Sequence, residues 1–457
     1  MRSDDLPFFS DDQAQGLRNL LSRRHILGGA AAGGLLATPL MARAQTAPAP
    51  AQQGEAEITV DQARTAPIPI VIPNFGAGIG GQISGVISAD LDSTGLFKVI
   101  SGDVGQGTPD FAGLKAQGAR AAVSGSANGS GSVRVEMRLW DVLNGQQLQG
   151  TAYTASGANW RRIAHIIADV IYERMLGEKG YFDTRIAYIA RTGPRHRQTT
   201  RLAVMDQDGA NERMLSSGQW LTLTPRFNPV RDQIAFMSYA NDRPRVYLFD
   251  LGSGSQRLLG EFAGISFAPR FSPSGGQVVL SATRGGGSDI FVVDLGSGSK
   301  RQITNSGAID TSPSYSPDGS QIVFNSDRGG SPQLYIMSAS GGGARRISYG
   351  NGQYGSPVWS PRGDLIAFTR IAGGRFSLGV MAPDGTGERI LTEGFTVESP
   401  TFCPNGRVIA FCRQSASGAG GAGFASGIGM IDITGFNERP IHTGTGASDP
   451  AWSPLNG

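Results

Sequence analysis

The stretch with the most obvious capacity for chemistry is Gly76-Ala77-Gly78-Ile79-Gly80-Gly81, a G-x-G-x-x-G match in a chain of 457 residues. After a strand and before a helix, such glycines allow a tight turn and bring backbone amides up to a dinucleotide pyrophosphate. A β-branched run, Ile70-Val71-Ile72, precedes the match, and Asp103 follows near where a ribose-binding acid belongs. Pro73-Asn74-Phe75 intervenes, however, where the fingerprint wants an immediate strand-to-glycine turn, and no second nucleotide-binding half follows. The match reads as a loop, and no cofactor is expected. His165, His196 and His442 are far apart, and no Cys/His/Asp spacing suggests a metal site. His165 sits on an apolar helical face and reads as a packed side chain. G-x-S-x-G is absent, and the Asp-Gly pairs at Asp318 and Asp384 are turn formers. The chain is therefore expected to have no catalytic residues.

The elements around these residues have to be read from the ends inward. Ser22-Arg23-Arg24-His25 leads into an apolar Gly/Ala-rich run from Ile26 to Met41, and Ala42-Arg43-Ala44 is a small-x-small cleavage pattern leaving Gln45 as the new N-terminus. Roughly 15 apolar residues are too few for a permanent anchor, and no later segment suits one. The paired arginines resemble a twin-arginine signal; an ordinary secretory signal is the other reading. Either exports the protein, and a periplasmic location is expected, with no transmembrane segment in the mature chain.

About 410 residues remain, enough for two domains. The net charge of +3 and the lack of a basic block argue against nucleic acid as a partner. Gly 67 and Pro 25 in a chain 17% charged point to many turns and short strands. Cys403 and Cys412 flank an Asn405-Gly406 turn whose hairpin register faces Cys403 with Val408 or Ile409, leaving two buried thiols out of disulfide reach.

One phrase recurs: "PRFNPVRDQIAFMS" at Pro225, "PRFSPSGGQVVLSA" at Pro269, "PSYSPDGSQIVFNS" at Pro313, "PVWSPRGDLIAFTR" at Pro357, "PTFCPNGRVIAFCR" at Pro400 and "PAWSP" at Pro450. The prolines are 44, 44, 44, 43 and 50 residues apart, the period of a four-stranded propeller blade. "TRIAYIA", "TRLAVMD" and "ERMLS" precede Pro225 as strands two to four without a first, and "PAWSP" is a first strand without followers. The sequence thus predicts a six-bladed β-propeller over 182–457, closed by the C-terminal strand. "SASGAGGAGFASG" is an inserted surface loop. Residues 55–181 lack this beat and read as an α/β domain after an Ala/Pro-rich leader over 45–54, with Gly177-Glu178-Lys179-Gly180 as the joint.

The repeat, the α/β domain ahead of it, the joint "GEKGYFDTRIAYIARTG" and the stretches "IPIVIPNF" and "ISADLDSTGLFKVI" together resemble the TolB family of the Tol-Pal system over nearly the whole mature chain. The leader, the Gly/Ala insertion, "NPVRD" and "CPNG" depart from the family pattern without altering the blade count. The resemblance implies a non-enzymatic adaptor for outer-membrane integrity and envelope constriction during division. It would bind the lipoprotein Pal on one propeller mouth, TolA through its N-terminal segment, and possible further outer-membrane lipoproteins or porins. The TolA-binding segment would be Glu55 to Thr65, with Glu55, Ile58, Val60, Asp61 and Arg64; its alternation suits strand addition to a partner sheet. For Pal, the connections before each leading proline share one mouth and supply Trp220, Leu221, Ile265, Phe267, Asp310, Thr311, Gln353, Tyr354, Val397, Glu398 and Asp449. Their aromatic and apolar members are expected to be exposed as an interface core. The rival reading is a periplasmic carbohydrate-binding or hydrolase-accessory propeller using the channel.

Overall fold

Two short apolar runs, Ile68–Val71 (β1) and Phe97–Ile100 (β2), pair in parallel, and β1 also pairs in parallel with Ala121–Asn128 (β3). Ser132–Asp141 (β4) and Gln146–Ser156 (β5) extend the sheet antiparallel in the order β2-β1-β3-β4-β5. In β4, Val133, Val135, Met137 and Leu139 are buried at every second position, as a half-buried strand requires. The computed structural model describes residues 66–105, 107–129, 131–194, 197–240, 243–416 and 425–456.

The helices Ile79–Ser93 and Trp160–Leu176 pack on each other and on this sheet. In the longer one, Ile163, Ile167 and Ile171 lie one turn apart and are buried, with Ala164 and Ala168 allowing close approach. It ends at Gly177, whose φ of 75° only glycine adopts cheaply. Three residues on, a Cβ at Gly180 would lie 2.0 Å from Asp169 Oδ1, so the joint needs glycine there too. Asp169 accepts hydrogen bonds from the backbone N–H groups of Phe182 (2.7 Å) and Asp183 (2.9 Å), fixing the chain as it enters the propeller. Tyr172, Tyr181 and Phe182 are fully buried, and Tyr181 meets Trp452 edge-on at 5.8 Å. One apolar core therefore runs from the α/β region into the propeller.

The repeats fold into six four-stranded antiparallel sheets. Their first strands are Thr222–Phe227, Ser266–Phe271, Asp310–Tyr315, Gln353–Trp359, Thr396–Phe402 and Gly446–Trp452. The last of these pairs with Arg185–Thr192, so one blade is made from the first and last strands of the propeller segment. First strands lie side by side around the channel, and Gly446–Trp452 touches both Thr396–Phe402 and Thr222–Phe227. Second strands supply the buried triplets Ile234-Ala235-Phe236, Ile322-Val323-Phe324, Ile366-Ala367-Phe368 and Ile409-Ala410-Phe411 that fill the space between blades.

Each first strand carries one β-bulge, and a left-handed residue precedes its proline: Thr224, Ala268, Ser312, Ser356, Ser399 and Asp449, all with φ between 48° and 56°. Non-glycine residues rarely adopt this conformation, and its sixfold recurrence makes it a property of the repeat. The α/β region lies on the face formed by the turns between first and second strands. Glu178 pairs with Arg362 at 2.9 Å, Asn405 Nδ2 donates to the Lys179 carbonyl at 2.7 Å, and Asn437 Nδ2 donates to that of Ser93 at 2.7 Å. The opposite mouth is left to the connections that precede the first strands.

Candidate protein-binding mouth

Trp220 and Leu221 end the connection into Thr222–Phe227 and are 37% and 42% exposed. Their carbonyls are tied down by the Thr222 hydroxyl (3.1 Å) and the Tyr239 N–H (3.0 Å), so apolar side chains are presented on a fixed backbone. Ile265 is half-buried at the corresponding place, its N–H donating to Thr283 Oγ1 at 2.8 Å. Thr311, Gln353, Glu398 and Asp449 are also half-buried, and all four lie within first strands instead of loops.

Four expected contact residues are not exposed. Phe267, Asp310, Tyr354 and Val397 are 5%, 0%, 1% and 0% exposed. The strands begin earlier than the proline-centred reading places them, and their alternation turns these side chains between blades. Tyr354 packs on Phe368 at 5.3 Å and donates its hydroxyl to Glu388, at 2.8 Å to Oε1; Glu388 in turn holds Arg370 at 2.9 Å. Asp310 receives the Arg328 guanidinium on both oxygens at 3.0 Å and the Ser326 and Ser306 hydroxyls at 2.6 and 2.9 Å. Arg328 also stacks on Phe324 and Tyr335 at 5.1 and 5.0 Å. These residues build the mouth without facing a partner.

Two residues that the spacing argument passed over do face outward. Tyr349 is 70% and Phe395 56% exposed, each in the connection that leads into a first strand, as Trp220 is. Tyr349 is held by its hydroxyl donating to the Arg346 carbonyl at 2.9 Å and by the Arg346 guanidinium over its ring at 5.0 Å. The signal was available, since "SYGNGQYG" and "EGFTVES" place an aromatic residue several positions ahead of the proline. Around them sit paired arginines: Arg370 with Glu388, Arg413 with Glu438, and Arg191 3.8 Å from Asp449. Apolar projections set among anchored charges form the arrangement of an interface core with a polar rim.

The remaining candidates fall elsewhere. Glu55, Ile58, Val60, Asp61 and Arg64, the cleavage residues Ala44 and Gln45, His196 and most of the Gly/Ala insertion lie outside the described residues. Four residues separate the Gly76 motif from β1; it begins inside the seven-residue connection to the helix, and its last two glycines lie in the first helical turn. Gly76 and Gly78 have φ of 127° and 63°, and a Cβ on Gly80 would lie 2.7 Å from the Phe75 backbone, so backbone geometry accounts for them. Asp103 caps its own loop by accepting from Gly105 N–H at 2.9 Å. Cys403 and Cys412 are free and buried, and burial pushes their thiols up to about 11 and about 12.

His165 is buried, but it is more than packing. Its Nδ1 lies 2.7 Å from Asp90 Oδ2, Gln207 Nε2 donates to Asp90 Oδ1 at 2.8 Å, and Asp206 and Asp208 stand 4.0 and 3.9 Å from Nε2. Burial alone lowers the imidazole, but the hydrogen bond and charge of Asp90 leave it raised; burial raises Asp90 as well. Arg161 pairs with Asp208 and lies 3.8 Å from Asp206, supplying positive charge to the two acids. Three separated segments meet here, so no local spacing could reveal the cluster.

Residues 56–148 match the family of the TolB amino-terminal domain and residues 172–456 that of the TolB beta propeller domain. The chain is 82% identical to the Tol-Pal system protein TolB of Gluconobacter oxydans, over 99% of this chain and all of that one. It is 59% identical to that of Paramagnetospirillum magneticum over 88% and 94% of the two. The crystal structure of TolB from Acinetobacter baumannii superposes with a TM-score of 0.75 at 28% identity, covering 85% of this chain and 97% of that one. The chain belongs to the TolB family of Tol-Pal system proteins.

Proposed function

We propose that this protein is a non-enzymatic periplasmic adaptor of the Tol-Pal system. It binds the lipoprotein Pal through the propeller mouth that carries Trp220 and TolA through the segment Glu55 to Thr65, and so serves outer-membrane integrity and envelope constriction at division. The observation that carries the reading is the exposure of Trp220, Leu221, Tyr349 and Phe395 on connections of one mouth, the first two on a braced backbone, Tyr349 held through its own hydroxyl and Phe395 set between two strands. Large apolar side chains presented this way are the residues that dominate protein interfaces. Ile265, Thr311, Gln353, Glu398 and Asp449 are half-buried around them and act as complementary rim contacts. Phe267, Asp310, Tyr354 and Val397 support the mouth from within.

The test is binding of the mature chain to the periplasmic domain of Pal, with and without Glu55 to Thr65. Tight binding that changes on deletion supports the adaptor and a coupling between its two ends. Unchanged tight binding keeps the adaptor and removes the coupling. No binding overturns the Pal assignment.

A further inference from the structure

The other end of the channel has a different chemistry. The residue following each leading proline lines one cavity at this end, and around the ring these are Arg226, Arg270, Ser314, Val358, Thr401 and Ala451. The next residue in each blade is aromatic, giving a collar of Phe227, Phe271, Tyr315, Trp359, Phe402 and Trp452. Together they enclose a cavity of about 220 Å³ that opens among the turns between first and second strands.

The two neutral hydroxyl members are committed to the fold. Ser314 Oγ accepts from Trp359 N–H and Thr401 Oγ1 from Trp452 N–H, both at 3.2 Å, stitching adjacent blades. The two cations are not committed. Arg226 donates one N–H to its own Pro225 carbonyl at 2.6 Å, and its buried Nε has no partner. Among the described residues, neither Arg226 nor Arg270 forms an ion pair, whereas Arg328, Arg370, Arg407 and Arg413 all do. Burial lowers Arg226 to about 10, with Asp449 opposing the shift. Burial lowers Arg270 too, and the charge of Arg226 adds to it. Two guanidiniums on neighbouring blades thus repel each other in a confined space. Both side chains are half-buried, and unpaired like charge in so confined a place is costly; an anion between the two would relieve the repulsion and give the Arg226 Nε a partner.

We propose that the collar end of the channel is a binding site for an oxyanion, carboxylate or phosphate, carried on an aromatic or apolar body. Arg226 and Arg270 hold the anionic group, since the guanidinium fork matches both oxyanions. The aromatic collar receives the attached body. The cavity opens at the end of the channel opposite the Trp220 mouth. Arginine at this position in only two of six otherwise similar repeats marks a departure from what the fold requires.

The experiment follows the thermal midpoint of the mature protein against graded N-acetylphenylalanine, phenyl phosphate and the neutral N-acetylphenylalanine amide. A saturable rise with either anion and none with the amide is expected, because ligand bound only by the folded state raises the midpoint. The stronger of the two anions identifies a carboxylate or a phosphate source. The Arg226→Leu/Arg270→Leu variant should fold with an unchanged or higher midpoint and bind the anion at least roughly tenfold more weakly, the loss of one charge-assisted bond or more. If that variant folds poorly, Arg226→Lys/Arg270→Lys keeps the charge without the fork and should bind with intermediate strength. Equal responses to anion and amide, no response to any of the three, or undiminished binding by the leucine variant would overturn the assignment.

Discussion

The two ends of the propeller channel are made by the same six strands and share almost nothing chemically. After the leading proline, all six repeats place an aromatic residue at the same position, from Phe227 to Trp452. Before it, the repeats differ: a tryptophan and leucine in one connection, a tyrosine in another, a phenylalanine in a third. The constant positions are those the blade needs, because the ring must be filled six times over with the same shape. The variable positions carry no such demand, so individuality among repeats marks where the molecule meets something else. Burial refines this rule. Phe267, Tyr354 and Val397 also vary among repeats, yet they are buried and serve the blades.

That distinction can be broken experimentally, first where the mouth is structural. Asp310→Ala would strip Arg328 and two hydroxyls of their acceptor and leave a largely buried cation unpaired, a loss of about 3–4 kcal/mol in stability by urea unfolding. A full-strength stability with selective loss of Pal binding would instead return Asp310 to the interface. Slightly smaller, at about 3 kcal/mol, is the expected cost of His165→Ala, which leaves the Asp90 carboxylate buried without its partner. Gln207 still donates to Asp90, which keeps this loss at the lower end.

The same pair gives a pH dependence. The folded pKa of His165 is raised, so its contribution is complete below the ordinary value of about 6.5 and is lost as pH rises through the folded value. Asp90, raised by burial, acts in the same direction. Asp206, Asp208 and Arg161 face the pair, and the two acids favour the protonated imidazole. The urea midpoint should therefore fall as pH rises above about 6.5 in the parent and stay flatter in the His165→Ala variant. A parallel fall in both would remove the histidine from the account. Smallest of all, Glu136→Ala breaks an exposed pair with Arg134 and should change stability by less than about 0.5 kcal/mol in a thermal melt.

Much of the fold was legible because its signals are local and repeated. A proline, an aromatic residue and a glycine turn recur in register, and the helix Trp160–Leu176 follows directly from the spacing of its isoleucines. The mouth was legible only in part. Trp220 and Leu221 emerge as read, but the bulge at the left-handed residue before each proline lets the strand start earlier and turns Tyr354 and Val397 inward. No residue type announces that bulge, since threonine, alanine, serine and aspartate all occupy it. The Asp90–His165 pair was illegible for another reason: its partners come from two helices and a propeller hairpin, brought together by tertiary packing alone.

The central claim is that one mouth, and not the other, is the protein-binding end. The direct test is the affinity of the periplasmic domain of Pal for three mature proteins: the parent, a Trp220→Ala/Leu221→Ala/Tyr349→Ala/Phe395→Ala variant, and the Arg226→Leu/Arg270→Leu variant. The account predicts a loss of about a thousandfold, or ~4 kcal/mol, for the first variant and parental affinity for the second. Parental affinity in the mouth variant, or a comparable loss in the arginine variant, would contradict it.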